Sequence, residues 1–157
     1  MYVYRVVDEQ GAGMYRAPNR TSLWDLAVGS DTQSPYNHPA PAEDALLVQN
    51  WPAFADLHGL KCKSQHCGDV SNPAVNYSAQ WEMYDQLKSH AFGFESIQQL
   101  LRWLYGVGWL EAMHELGGYV RVYDVPDEHV LIGRCQVTFD TRFARRMPNL
   151  SLIGLEV

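Results

Sequence analysis

The chain reads as an α+β protein, a single domain over residues 1–157 with a mostly antiparallel mixed sheet and packed helices. Three observations carry that expectation. The opening Tyr2–Asp8 and the later Tyr119–Val125 are rich in β-formers and alternate in character. Between them, Ile97, Leu100, Leu101 and Leu104 recur at helical spacing on one face. The order of elements is strand, loops and helices, strand, two helices, then several strands, which does not alternate regularly enough for a parallel sheet. A chain of 157 residues is long enough for one core, and its 46% hydrophobic content excludes a disordered chain.

The first strand contains Arg5. A guanidinium within an apolar strand must reach water, pair with a carboxylate or hold an anion. Gln10-Gly11-Ala12-Gly13 is a turn; it lacks the spacing of a phosphate loop. Thr21-Ser22 precedes Leu23, Trp24, Leu26 and Ala27 and caps a short helix. Gly29 to Pro41 is a proline-rich loop. Within and after it, His38 stands close to Glu43 and Asp44, either as a titratable cluster or as a solvated approach to a helix that favours acids in its first turn. That helix is expected within Ala45–Leu57, interrupted or restarted at Pro52.

His58, Cys62, His66 and Cys67 bring zinc-ligand residue types together. Their spacing is poor for one tetrahedral ion, because His66 and Cys67 are adjacent and Cys135 is distant. The segment reads as a polar loop with no metal, and a Cys-His catalytic pair has no supporting spacing. Three cysteines in a chain without a leader-like start suit a reducing compartment. No apolar run approaches the roughly 18 residues of a membrane span, so neither membrane nor export is expected and the location read from sequence is cytoplasmic.

Asn76–His90 carries Tyr77, Trp81, Tyr84 and Leu87 at near-helical spacing and is expected to be amphipathic. Phe92-Gly93-Phe94 follows as a short strand. Ser96 and Gln99 then have the spacing of a capping box before the core helix. Gly106 and Gly108 break the pattern, Trp109–Leu116 resumes it, and Gly117-Gly118 ends it. After Tyr119–Val125, a turn at Pro126–Glu128 leads to short strands at Val130–Ile132 and Cys135–Asp140. A helical turn is expected at Phe143–Arg146 and a last strand within Leu150–Val157.

The net charge is −6 and uneven. Residues 1–60 hold three basic and seven acidic side chains, whereas residues 118–157 hold five of each. This excludes an overall basic footprint of the kind nucleic-acid binders carry, so direct nucleic-acid binding is not expected. An acidic front half suits a partner with a basic surface, such as a protein or nucleoprotein complex. The partner-binding candidates are Asp8, Glu9, Asp31, Glu43 and Asp44, with Trp24, Tyr36 and Trp51 as apolar anchors. The surplus of large aromatics, five Trp and nine Tyr, also admits a homodimer.

Several phrases together resemble small proteins of phages, prophages and other mobile elements. They are Tyr4-Arg5-Val6, His38-Pro39 with Glu43-Asp44, Phe92-Gly93-Phe94-x-Ser96-x-x-Gln99-Leu100, and Tyr123-x-Val125-Pro126 followed by Gly133 and Gln136-Val137-x-Phe139-Asp140. The resemblance implies expression inside a bacterium and a role against host defence, with an anti-CRISPR inhibitor of an RNA-guided nuclease complex as its concrete form. A second resemblance is to ADP-ribosyltransferase-like domains. It implies an NAD-binding enzyme with Arg5, Ser96 and Gln136 at the pocket, joined by His38. The chain departs from that pattern where a catalytic Glu is required, offering Gln136 and Asp140 instead.

Overall fold

The computed structural model describes residues 1–15, 17–29, 89–132 and 136–155. The α+β expectation holds over these residues: helices pack with strands that all pair antiparallel. The strands form two sheets where one was expected. The first has the order β1 (Tyr2–Val7), β3 (Tyr119–Asp124), β6 (Arg145–Leu150). The second has the order β2 (His90–Gly93), β5 (Val137–Asp140), β4 (Val130–Ile132).

Three short helices lie between strands: α1 (Leu23–Ala27), α2 (Ile97–Trp103) and α3 (Trp109–Glu115). Ser22 caps α1, its hydroxyl accepting from the Asp25 amide at 3.2 Å. Ser96 caps α2 in the same way, accepting from Gln99 N at 3.0 Å. Gln99 reaches back as a capping box requires, but its Oε1 takes the amide of Glu95 at 2.8 Å, one residue outside the cap itself. Gly117, at φ +87°, ends the α3 region in the left-handed conformation that glycine tolerates.

The alternation of β1 and β3 separates two cores. Tyr4, Val6, Val120 and Val122 point to the helices, where they meet Leu23, Trp24, Phe94, Leu100, Trp103 and Met113. Val3 and Tyr123 point the other way and pack with Val125, just after β3, and with Val130, Val137 and Phe139 of the second sheet. The two sheets are joined where the chain leaves β2. Phe94 and Tyr4 exchange backbone hydrogen bonds of 2.7 and 2.8 Å. At Gly93 the backbones come so close that an added Cβ would lie 2.7 Å from Val3 Cγ1 and 2.9 Å from the Tyr4 carbonyl.

Three boundaries differ from the sequence expectation. His90 begins β2 instead of ending a helix. The helical turn lies earlier, as a 3₁₀ turn at Thr141–Phe143, and the final strand runs over Arg145–Leu150. Two arginines and Pro148 hide that strand, yet β6 is an edge with a register shift between the partners of Val120 and Val122, and edges and bulges are where a strand accepts proline. Beyond it, Leu152 turns inward and is buried in the helical core. The helix expected at Ala45–Leu57 lies outside the described residues, as do residues 76–88 of the one expected at Asn76–His90.

Because the Gly93 site is closed by backbone as well as by side chain, Gly93→Ala is expected to cost about 1–3 kcal/mol through overpacking. Urea unfolding should show a lower midpoint with an unchanged m-value; an unchanged midpoint would mean that the two sheets are not pressed together there.

Candidate functional site

β1 ends in a turn organised by Asp8. Its Oδ1 accepts from the amides of Gln10 and Ala12, each at 2.9 Å, and its Oδ2 binds the Arg20 guanidinium at 2.7 and 3.1 Å. Burial pushes the carboxyl pKa up. The Arg20 bond and the two amides outweigh that push and hold it below its ordinary value. Asp8 is therefore committed internally and is not displayed as a contact for a partner. Trp24 is also internal: it is 4% exposed and packs edge-on against Trp109 at 5.0 Å and against Tyr15 at 5.2 Å.

Glu9, by contrast, is exposed and lies against Gly117, where a Cβ would meet its Oε2 at 3.3 Å. A carboxylate beside a helix C-terminus adds to the negative end of the helix dipole. Two more exposed acids, Glu111 and Glu115, stand four residues apart on α3 and share one of its faces. Large apolar side chains are exposed on the same helical layer: Leu26 on α1, Leu116 after α3, and Tyr105 and Val107 in the joint between α2 and α3. Val107 is fully exposed. This layer therefore carries both exposed carboxylates and exposed apolar side chains, and of the residues singled out in the sequence only Glu9 lies on it.

The residues proposed for an NAD site have clear local roles. Arg5 Nη1 donates to the carbonyl of Phe92, so the first strand does reach the Phe92–Ser96 segment. The contact between them is the packed Gly93 seam. Ser96 uses its hydroxyl to cap α2, and Gln136 is 2% exposed at the start of β5. Asp31, Tyr36, His38, Glu43, Asp44 and Trp51 lie outside the described residues. So do His58, Cys62, His66, Cys67 and Cys135; among the described residues no cluster of His, Cys, Asp and Glu could hold a metal.

A family profile described as Bacteriophage T4 Y00F protein matches residues 1–153. The chain belongs to this phage protein family. One relative is 30% identical over 129 residues, covering 77% of this chain and 69% of the relative. It is described as an uncharacterized 19.7 kDa protein in the motB–dexA intergenic region of Enterobacteria phage T4. No solved structure matches the chain. Membership of the T4 Y00F family bears out the resemblance to phage proteins. Among the described residues no helix is long and apolar enough to cross a membrane.

Sequence reading of this T4 Y00F family member missed a second titratable group, at one end of the β2–β5–β4 sheet. His90 stands opposite Asp140 in the strand register. The Asp140 carboxylate is buried, takes both arms of Arg142 at 3.0 and 2.6 Å, and also accepts the Arg142 amide at 3.1 Å. The Arg142 side-chain bond, the leading cause, holds the Asp140 carboxyl well below the carboxylate range despite burial. Phe143 stacks on His129 at 3.6 Å between ring centroids. Burial and the neighbouring Arg142 and His129 depress the His90 pKa, against the pull of Asp140. The only sequence signal was an ionisable residue at each end of a short apolar strand pair.

Two stability losses follow on acidification. His90 is depressed when folded, so the unfolded chain takes up its proton first, and stability falls as pH drops below about 6.5. Asp8 and Asp140 are also depressed, so a second loss begins below about 4 and continues through their folded pKa values. Thermal unfolding against pH should show both limbs, and His90→Asn should flatten the first while leaving the second. Asp8→Ala removes an acceptor shared by one guanidinium and two amides. It should cost about 1.5–3 kcal/mol at pH 7, the range for hydrogen bonds to charged groups.

Proposed function

We propose that the protein acts in the cytoplasm of the host bacterium as a non-enzymatic inhibitor. In this reading it docks on a basic surface of a defence complex, in the manner of an anti-CRISPR protein on an RNA-guided nuclease. The observation that carries the reading is the α1–α3 layer, where Glu9, Glu111 and Glu115 accompany exposed Leu26, Tyr105, Val107 and Leu116. Exposed apolar side chains supply anchoring area once water is excluded. Carboxylates around them steer the protein to Lys and Arg, and on a nucleic-acid channel they compete with phosphate for the same cations. Membership of a phage family supports the setting. Asp31, Tyr36, Glu43, Asp44 and Trp51 remain part of the proposed surface from the sequence.

The test uses a purified RNA-guided surveillance complex of the host and its target DNA. Wild type is expected to reduce target binding at low salt and to lose that effect as salt rises. The triple variant Glu9→Lys/Glu111→Lys/Glu115→Lys should weaken inhibition at least tenfold with thermal stability retained. Reversal of Glu43 and Asp44 measures the contribution of the sequence-assigned pair separately. Full target binding at saturating wild-type protein would reject the proposal, and undiminished inhibition by the triple variant would remove the α1–α3 layer from it.

A further inference from the structure

Tyr105-Gly106-Val107-Gly108-Trp109 joins α2 to α3 and sets three large apolar residues around two glycines. Its backbone has the form of a type II turn. The Gly106 carbonyl accepts from the Trp109 amide at 3.3 Å, and Gly108 has φ 78° and ψ 0°, the values of the third residue of such a turn. Val107 is the second residue and is fully exposed; Tyr105, just before the turn, is 71% exposed. The second position suits proline and most other residues. A fully exposed side chain adds no packing, so nothing in the fold asks for valine there. Large apolar side chains gathered on one projection mark a contact site.

The turn stands on a column of aromatic rings. Tyr105 lies against Trp109 at 5.2 Å between ring centres, Trp109 meets Trp24 edge-on at 5.0 Å, and Trp24 meets Tyr15 at 5.2 Å. The Tyr15 hydroxyl in turn accepts from Trp103 Nε1 at 2.8 Å. A Cβ at Gly106 would run into the Trp109 indole, so this glycine lets the ring lie close against the turn. The tip is thus tied to the helical core, and binding through it orders little that is not already ordered. Fixed geometry and an uncovered apolar side chain are the attributes of an interface hot spot.

We propose that this turn is the anchor of the docking surface, seating Val107 and Tyr105 in an apolar cleft of a protein partner whose rim carries lysine or arginine. The inference rests on the inhibitor reading and deepens it, by naming where on the α1–α3 layer the affinity is concentrated and what it meets. The exposed fixed charges of the three helices are Asp25 on α1 and Glu111 and Glu115 on α3, against Arg102 on α2. That excess of carboxylate matches a cationic rim. It opposes an anionic lipid surface, the other apolar medium for a Tyr–Val–Trp tip. Leu26 and Leu116 are exposed on the same layer. In this account they exclude water around the anchor and contribute less.

Inhibition of target-DNA binding by the purified host surveillance complex is the readout, with melting temperature as the fold control for each variant. Val107→Asp and Tyr105→Ala should each weaken inhibition by about tenfold, and Leu26→Ala and Leu116→Ala by less than about threefold. The aspartate adds a charge of the sign that suits a basic partner, so its loss reads the apolar contact alone. Val107 is fully exposed, so its variant decides the matter even if Tyr105→Ala disturbs the packing on Trp109. Full inhibition by folded Val107→Asp would overturn the inference and leave the inhibitor reading standing. Equal losses from all four variants would also overturn it, by spreading the affinity over the layer. Sedimentation of wild type, but not Val107→Asp, with phosphatidylethanolamine–phosphatidylglycerol vesicles would overturn it in favour of a lipid surface. Absence of inhibition by wild type would reject the inhibitor reading and this inference with it.

Discussion

The reciprocal backbone bonds between Tyr4 and Phe94 set the geometry on which the other contacts depend. They join a residue of the first sheet to the residue that leaves the second, and Gly93 permits the approach by having no Cβ. Val3 is thereby pressed against the second sheet while Tyr4 and Val6 face the helices. The Phe92 carbonyl comes within reach of Arg5. Two residues after Phe94 the chain enters α2 under the Ser96 cap, so the same joint delivers Leu100 and Trp103 to the helical core.

Charge is sorted by this architecture. Asp8 and Asp140 are internal, each locked to an arginine and to backbone amides at a turn. They count toward the net charge of the chain but little toward what a partner meets. The exposed acids Glu9, Glu111 and Glu115 lie on the helical layer, while Arg5, Arg121 and Arg146 lie on the other face of the β1–β3–β6 sheet. The second sheet packs on part of that face, through Val3 and Tyr123, so the net charge of the chain is a poor guide to which charged groups a partner would meet.

Much of the fold was legible in sequence because it is locally encoded. Alternation in Tyr2–Val7 and Tyr119–Asp124, the Ser22 and Ser96 caps, and the glycines around α3 act within a few residues. The β6 strand was not legible, since an arginine-rich edge with a proline in a bulge carries no apolar alternation. The site was harder still. Trp24 has the composition of an anchor and the burial of a core residue, and sequence shows only the first. His90 gains its meaning from Asp140, its strand partner fifty residues later. Burial and cross-strand register are tertiary facts, so residue type alone could not supply them.

Native-state hydrogen exchange at Tyr4 and Phe94 tests the central claim most directly. If their reciprocal bonds tie both sheets into one cooperative unit, these amides should exchange only through global unfolding, with the same free energy as the amides of Arg5 and Val122 inside the first sheet. Exchange at Phe94 through an opening several kcal/mol below the global value, with a denaturant slope smaller than that of global unfolding but well above zero, would show that the second sheet detaches on its own and would contradict the account.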